Sequence, residues 1–306
     1  MNIFSLIPLL LGLILAPLLP GVINRVKARF AGRQGAPLLQ TYHDLRKLLR
    51  KGAVYSRTTT WVFRVGPSCG LAAALCALTL VPAASIRAPF SFHGDLVLFA
   101  YLLGLLRFVT VIAALDTGSS FEGMGASREV FFSALAEPAL IFGLAALALA
   151  AGEISLSRIF PHIAATAWLA TGPALALVAA AILIVFLAEN SRIPVDDPNT
   201  HLELTMIHEV MVLDHSGPDL AFILYTSSLK LWILGALIVD ILLTLFGLKG
   251  LAGLAAFICG QFVLAILVGM IESLMARLPL LRVPRLLVGA GVISILAFAL
   301  VLRFVQ

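Results

Sequence analysis

Charged residues are scarce in this 306-residue sequence. Asp, Glu, Lys and Arg make up 12% of it, whereas apolar residues reach 61%. Soluble domains have about 25% charged and roughly 45–50% apolar residues. A chain of this size could not build a soluble surface from so few charges. The composition therefore excludes an ordinary soluble domain and indicates a polytopic membrane protein.

Cysteine is also rare. Cys69, Cys76 and Cys259 fall in apolar runs and show no C-x-x-C spacing. Iron–sulfur clusters and structural zinc sites need several thiolates at close quarters. We therefore expect no redox centre and no metal bound by this chain, and we expect the three cysteines to be small apolar packing residues.

Long apolar runs are what the sequence does contain. A helix needs about 20 apolar residues to cross a bilayer, and eight runs of about this length are present. They are Ile3–Ile23, Val65–Ile86, Leu96–Leu115, Val130–Ala151, Gly172–Ala188, Leu220–Phe246, Leu251–Ile271 and Leu286–Leu302. The predicted fold class is all-α: one polytopic integral membrane domain over residues 1–306, with about eight transmembrane helices and amphipathic helices in the loops.

The basic residues predict the orientation. Residues 24–62 contain nine Lys or Arg and the single acid Asp44, so this loop is expected to be cytoplasmic. Alternation then places loops 116–129, 189–219 and 272–285 on the same side and both termini on the non-cytoplasmic side. Topology accounts for the net charge of +5. The lipid bilayer is therefore the expected partner, and nucleic acid is not.

The first loop contains an amphipathic pattern. Leu38, Tyr42, Leu45 and Leu49 recur at helical spacing, with the charges on other faces. A helix lying along the membrane surface is predicted. It would be either a basic anchor on anionic lipid or a docking surface for a cytoplasmic partner.

The second loop, 116–129, is rich in glycine and is predicted to be a turn before the fourth span. Its spacing matches neither dinucleotide-binding nor P-loop patterns. Glu137 follows inside that span, where a carboxylate must be protonated or matched by a base. A structural ion pair and a proton relay are both open interpretations.

The third loop is acidic, against the usual trend for a cytoplasmic loop. Residues 189–219 contain seven Asp or Glu and one base, Arg192. His201, His208 and His215 recur every seven residues and could line one helix face. That spacing is too wide for one metal ion, whereas imidazoles among carboxylates suit proton transfer.

Several charges lie inside the spans. Arg107, Lys230 and Asp240 are the clearest. Lys230 and Asp240 are about 15 Å apart along a helix, so each needs another partner. Together with Glu137 and Glu189 they suggest a buried polar path through part of the bilayer.

The three loops resemble those of the complex I (proton-pumping NADH:quinone oxidoreductase) membrane subunit 1 family, which joins the hydrophilic arm to the membrane arm. The motifs are Gln40-x-x-x-Asp44-x-x-Lys47-Leu48, then Gly125-Ala126-Ser127-Arg128 before Glu137, then Ala188-Glu189-Asn190-Ser191-Arg192-Ile193-Pro194-Val195-Asp196, and Asp214-His215-Ser216-Gly217. The third motif is the most specific. The resemblance covers nearly the full length.

One departure from complex I indicates a branch of the family. Complex I has acids where this chain has Asn199 and His201, and residues 196–209 look like the homologous anchor subunit of membrane-bound nickel–iron hydrogenases of formate hydrogenlyase type. The resemblance implies nickel–iron hydrogenase large and small subunits, iron–sulfur protein subunits and antiporter-like membrane subunits as partners. It implies iron–sulfur clusters and a nickel–iron centre in those partners, and it gives little support to a quinone site.

The resemblance also implies roles for residues, none of them catalytic. The candidates for a proton path are Glu137, Glu189, Glu203, Asp214, Lys230, Asp240, Arg107, His201 and His208. The candidates for partner docking or loop structuring are Arg33, Gln40, Asp44, Lys47, Arg128, Arg192 and Asp196. Arg192 would hold nearby carboxylates in their charged form by a bidentate contact.

The expected function is a membrane anchor and coupling subunit that links redox chemistry to proton or sodium movement in a bacterial or archaeal cytoplasmic membrane. Three alternatives stay open: the quinone-site subunit of a respiratory NADH:quinone oxidoreductase, a stand-alone proton-coupled transporter, and a purely structural anchor.

Overall fold

The computed structural model describes residues 3–84, 86–163, 165–196 and 207–305, and α-helices dominate this part of the chain. The helices are α1 Ile3–Leu15, α2 Leu18–Phe30, α3 Gln40–Leu49, α4 Trp61–Leu80, α5 Asp95–Asp116, α6 Ser120–Ala151, α7 Leu156–His162, α8 Ala165–Glu189, α9 Gly217–Leu243, α10 Gly250–Leu274 and α11 Val283–Val305, with 3₁₀ helices at Glu209–Val212 and Leu280–Arg282. The all-α fold is confirmed.

Seven of the helices in the described part of the chain are long and apolar enough to cross a membrane. The first predicted span is a bent pair instead. α1 and α2 meet at an angle of 47°, and Pro17 lies at the break. Proline has no amide hydrogen and its ring excludes the preceding helical turn, so the axis changes direction there. Counted as one span, the pair gives the eighth crossing.

The glycine-rich segment 116–129 is mostly helical, contrary to the predicted turn. α6 begins at Ser120 and continues for 32 residues. A Cβ added at Gly125 would lie 2.3 Å from Val210 Cγ1 and 2.9 Å from the carbonyl oxygen of Ile207. Gly125 therefore permits the close approach of the third loop to α6, and it has no part in a turn.

The spans pack around α9, which is the most buried of them. α4, α8 and α10 contact α9, while α11 packs against α6 and α8. Trp232 of α9 is buried and its ring meets Phe257 of α10 edge to face, with centroids 6.0 Å apart. This arrangement buries α9 on several sides, including the polar residues that it carries.

The cysteines do not pack inside the bundle, so that expectation was wrong. All three are exposed, on the outward surfaces of α4 and α10. A small apolar side chain is equally suited to a lipid-facing surface.

The alternation of the helices gives the bundle two sides. We call the side with segments 31–60, 117–119, 190–196, 207–216 and 275–282 the loop side, and the side with segments 81–84, 86–94, 152–163 and 244–249 the opposite side. The acidic third loop and the basic first loop share the loop side. Residues 52–54 also meet residues 216–217 there: Val54 N donates to Ser216 Oγ at 3.0 Å.

Candidate functional site

Arg107 of α5 is buried and lies among three carboxylates, of which Glu129 and Glu189 are buried and Glu137 is at the bundle surface. Only 7% of its side chain is exposed. Its two terminal nitrogens contact Glu137 of α6 and Glu189 of α8, and its Nε lies 3.5 Å from Glu129 Oε1. The planar guanidinium has donors in three directions, so one side chain joins α5, α6 and α8.

Lys230 extends this group to α9. Its Nζ lies 2.7 Å from Glu189 Oε2, and both side chains are buried. Glu189 thus has one base at each oxygen. The partner that the sequence required for Lys230 is the glutamate at the end of α8.

His208 extends the group to the third loop. Its Nε2 lies 3.1 Å from Glu129 Oε2 and its Nδ1 lies 3.4 Å from Asp196 Oδ2. Burial alone would lower the pKa of His208, but the charges of Glu129 and Asp196 and the hydrogen bond to Asp196 outweigh it and raise the pKa to about 9. His208 is therefore an imidazolium near neutral pH, held between two carboxylates.

Asp196 ends this row of charges. Arg277, which follows α10, lies 2.8 Å from Asp196 Oδ1, and the amide of His208 donates to Oδ2 at 3.2 Å. Burial would raise the pKa of Asp196, but the hydrogen bond and charge of His208 and the charge of Arg277 lower it. Asp196 is therefore a carboxylate that ties two loop-side segments together.

Arg192 belongs to a second buried group. The sequence predicts that it holds nearby carboxylates by a bidentate contact. Among the described residues it contacts Glu272 of α10 through one nitrogen, with Nη1 3.3 Å from Oε1. Lys27 of α2 lies 2.8 Å from Glu272 Oε2. This group links the first span, the third loop and the end of α10.

A cavity of about 260 Å³ adjoins the central group. One part of its wall is apolar and includes Gly66, Pro67 and Leu106, and the other part includes Arg107, Glu129, Glu189, His208 and Lys230. His215 also lines the cavity and stacks on Phe63, with ring centroids 3.9 Å apart and planes 3° from parallel. Burial lowers the pKa of His215, against the opposing charges of Asp219 and Asp214.

The structure brings together six of the predicted residues: Arg107, Glu137, Glu189, Asp196, His208 and Lys230. Two path candidates lie elsewhere. Asp214 is exposed, and its amide donates to Glu122 Oε1 at 3.1 Å. Asp240 is buried near the opposite side, where it accepts a 2.7 Å hydrogen bond from Ala84 N. His201 and Glu203 lie outside the described residues.

The candidate docking residues are scattered along the loop side. Gln40 donates to Asp44 Oδ1 at 2.9 Å within α3, and Arg33 and Lys47 are exposed. Arg128 contacts Met124 within α6, with Nη2 3.1 Å from the sulfur. These contacts of Gln40 and Arg128 are local, each within one helix, whereas the docking candidate Asp196 contacts His208 of the central group.

The predicted helix face carrying His208 and His215 is wrong. Between them the chain forms only the four-residue 3₁₀ helix Glu209–Val212. His208 turns towards Glu129, whereas His215 stacks on Phe63. The seven-residue spacing therefore reflected no shared helical face.

Glu129 is the site residue that sequence reasoning missed. The sequence predicts it as the last residue of a turn, yet it is a buried residue of α6 that contacts both Arg107 and His208. A signal was available: Glu129 precedes Glu137 by about 12 Å along one helix. An acid two turns before Glu137 on the same helix is therefore a candidate site residue for the same reason as Glu137.

The described residues show no group of three or more His, Cys, Asp or Glu side chains arranged to hold a metal ion. The central group combines three bases with several carboxylates, so its charges are compensated by protein side chains. What the arrangement can do chemically is hold and transfer protons between His208 and the carboxylates that face it.

Comparison with known proteins adds a family and a fold. A family model described as NADH dehydrogenase matches residues 2–303. Formate hydrogenlyase subunit 4 of Escherichia coli (strain K12) is 31% identical over 303 residues, covering 96% of this chain and 97% of that protein. Hydrogenase-4 component C of the same organism is 32% identical over 241 residues, covering 79% and 75%.

A solved structure shares the fold. A chain of the membrane-bound sulfane sulfur reductase, an archaeal respiratory membrane complex, superposes with a TM-score of 0.80 at 21% identity, covering 97% of this chain and 98% of its own length. This similarity extends over the whole bundle.

Proposed function

Because the chain belongs to the NADH dehydrogenase family, we propose that it is the membrane anchor and coupling subunit of a nickel–iron hydrogenase complex of formate hydrogenlyase type. Two relatives named as a formate hydrogenlyase subunit and a hydrogenase component support this branch. Both names describe parts of larger complexes, which favours a subunit role over a stand-alone transporter.

The observation that carries the coupling role is the buried group around Arg107. Glu129, Glu137 and Glu189 surround the buried guanidinium of Arg107, and Lys230 and His208 extend the group in two directions. Buried charges are costly, and removing one member leaves the others uncompensated. A purely structural anchor has no need of such a group in its spans.

The positions of the site residues suggest that the proton path runs from the loop side towards Glu137. His208 and Asp196 lie at the loop side, where the soluble arm would dock, and Glu137 lies deeper, about 26 Å along α6 from its loop-side start. The Glu137 side chain is 48% exposed on the bundle surface. Since a carboxylate facing lipid is costly, this surface would be covered by an antiporter-like membrane subunit. Glu137 would pass a proton to that subunit, or that subunit would move sodium instead.

The loop side would form the docking face. Arg33, Lys47 and neighbouring bases are exposed in the first loop, and the acidic third loop lies on the same side. Charges of both signs on one face suit partners with complementary patches. The nickel–iron large and small subunits and the iron–sulfur proteins would bind here and carry the redox centres, in a cytoplasmic membrane with both termini outside the cytoplasm.

Purification from the native membrane tests the subunit role. The full chain, tagged at one terminus, is expected to co-purify with subunits that carry iron–sulfur clusters and nickel. Isolation of the single chain from gently solubilised membranes would contradict the proposal. A matched pair of variants separates assembly from coupling: Glu189→Gln is expected to lower proton translocation, and Glu153→Gln, at a half-buried pair with Arg158 on the opposite side, is expected to change neither property.

A quinone-linked complex is the second candidate. The cavity beside Arg107 favours it, since an apolar wall that faces converging polar groups is typical of small-molecule sites. Quinone retained by the purified complex, and turnover blocked by a quinone-site inhibitor, would support this candidate over the hydrogenase.

A further inference from the structure

A groove of about 370 Å³ lies at the opposite side of the bundle, away from the Arg107 group. α1 contributes Phe4, Ser5 and Ile7, the segment after α4 contributes Ile86 and Arg87, and the start of α10 contributes Gly250, Leu251 and Leu254. Its walls are therefore mainly apolar, with a basic residue among them.

The groove exposes large apolar side chains. Phe4 is 71% exposed and Leu251 is 77% exposed, while Leu254 is buried behind them. Apolar surface of this kind is unfavourable in water. It lies where spans begin and end, so the hydrocarbon of a lipid chain is the natural material to cover it.

One exposed base lines this groove, and a second is adjacent in sequence to a residue that lines it. Arg87 lines it and Lys249 directly precedes Gly250, and both are exposed. Neither makes an ion pair within the described ranges, whereas Arg158 on the same side lies 3.6 Å from Glu153. Bases are scarce on this side of the chain, where Arg87, Arg158, Lys249 and Arg303 are the ones outside the span interiors. Two positive charges beside an apolar groove are suited to a ligand that has an anionic group and an apolar chain.

We propose that this groove binds one anionic phospholipid. Its phosphate lies at Arg87 and Lys249, and part of an acyl chain lies against Phe4, Leu251 and Leu254. The volume is within the range of about 300–1,000 Å³ that small ligands occupy, which suits a glycerol backbone and a chain segment. The two bases select the negative headgroup, because a zwitterionic lipid brings a positive charge of its own.

The test compares lipid retention by the intact, purified complex. The complex is equilibrated with phosphatidylcholine nanodiscs that contain a small fraction of phosphatidylglycerol, and bound lipid is counted by native mass spectrometry. Wild type is expected to retain phosphatidylglycerol over phosphatidylcholine. Arg87→Gln and Lys249→Gln are each expected to weaken retention about fivefold, from about 1 kcal/mol per base at a membrane surface, and the double variant more. Arg158→Gln is the matched control and is expected to behave as wild type.

Three results would overturn the proposal: wild type without a preference for phosphatidylglycerol, unchanged retention in the double variant, or an equal loss in Arg158→Gln. A second variant examines the apolar half. Leu251→Gln, at an exposed position that does not threaten folding, is expected to weaken retention of the lipid. If Leu251→Gln has no effect and soluble glycerol 3-phosphate competes as well as phosphatidylglycerol, the site is a plain anion site and the lipid assignment fails.

Discussion

Lys230 Nζ of α9 lies 2.7 Å from Glu189 Oε2 at the end of α8, while Arg107 of α5 contacts the other oxygen of the same carboxylate. One glutamate therefore joins three spans through two bases. Its position at the boundary between α8 and the third loop connects the interior of the bundle with the loop side.

The charges around Glu189 are balanced only when His208 is protonated. The four bases Arg107, Lys230, His208 and Arg277 then face the four carboxylates Glu129, Glu137, Glu189 and Asp196. A proton lost from His208 leaves this group with an excess negative charge in a region of low dielectric constant. Uptake of a proton elsewhere in the group would restore the balance, which is the physical basis for a relay.

Removal of Arg107 is expected to destabilise the bundle strongly. Arg107→Ala leaves buried carboxylates without their main base, which costs about 3–5 kcal/mol. Arg107→Lys keeps the charge but loses the fork and should be intermediate. Thermal unfolding of the solubilised complex measures the effect. Arg158→Ala, at a surface pair on the opposite side, should remain within about 0.5 kcal/mol of wild type, and a similar loss in both variants would contradict the assigned importance of Arg107.

His208 is expected to make stability depend on pH. Its pKa is raised to about 9 in the folded chain, against about 6.5 in an unfolded chain. The stabilisation is fully present below pH 6.5, declines as the pH rises, and is lost above about pH 9. The difference in thermal stability between wild type and His208→Gln should therefore be largest at pH 6 and shrink towards pH 9.5. A difference that is constant over this range would contradict an imidazolium at this position.

Gly125 is expected to tolerate no side chain. Gly125→Ala places a Cβ against Val210 and Ile207, and overpacking of this kind costs about 1–3 kcal/mol. Gly123, two positions before it in the same helix and with open space around it, provides the control, since Gly123→Ala should be neutral or stabilising by up to about 1 kcal/mol. Thermal unfolding again distinguishes the two, and equal effects would show that the third loop does not pack on α6 as described.

Asp240 is expected to be structural. Asp240→Asn keeps an acceptor for the amide of Ala84 and should preserve assembly and proton translocation. Asp240→Ala leaves that amide without its partner and should cost about 1–3 kcal/mol. Proton uptake and complex yield in membrane vesicles are the measurements. Translocation lost in Asp240→Asn with normal yield would return Asp240 to the proton path.

The sequence predicted the spans and part of the site, because hydropathy reports on the spans and sequence motifs report on individual site residues. Hydropathy located the eight crossings, and the motif from Ala188 to Asp196 identified Glu189 and Arg192. Helix ends were less predictable: α8 begins at Ala165, before the predicted Gly172, and the short helix α7 was missed. Hydropathy locates the part of a helix that lies in the hydrocarbon. It does not locate the helix ends, because helices continue beyond that region.

The partners of the buried charges could not be read from the sequence. Lys230 and Asp240 both needed partners. Lys230 contacts Glu189 because α8 packs on α9, and Asp240 accepts from the Ala84 amide because the segment after α4 lies against α9. Glycine spacing misled the prediction for residues 116–129, because glycine serves both turns and close helix packing. The close approach of Val210 to Gly125 is a tertiary contact, which a local sequence pattern cannot predict.

The central claim is that the Arg107 group couples redox turnover to ion movement, and the ratio of protons translocated to hydrogen turned over tests it most directly. The measurement uses inverted membrane vesicles of the native host with wild type and Glu137→Gln, at matched complex content. Glu137→Gln keeps a hydrogen-bond acceptor for Arg107 but cannot take up a proton. The account predicts a complex that assembles and turns over hydrogen with a clearly lower proton ratio. An assembled Glu137→Gln complex with wild-type turnover and a wild-type proton ratio would contradict it.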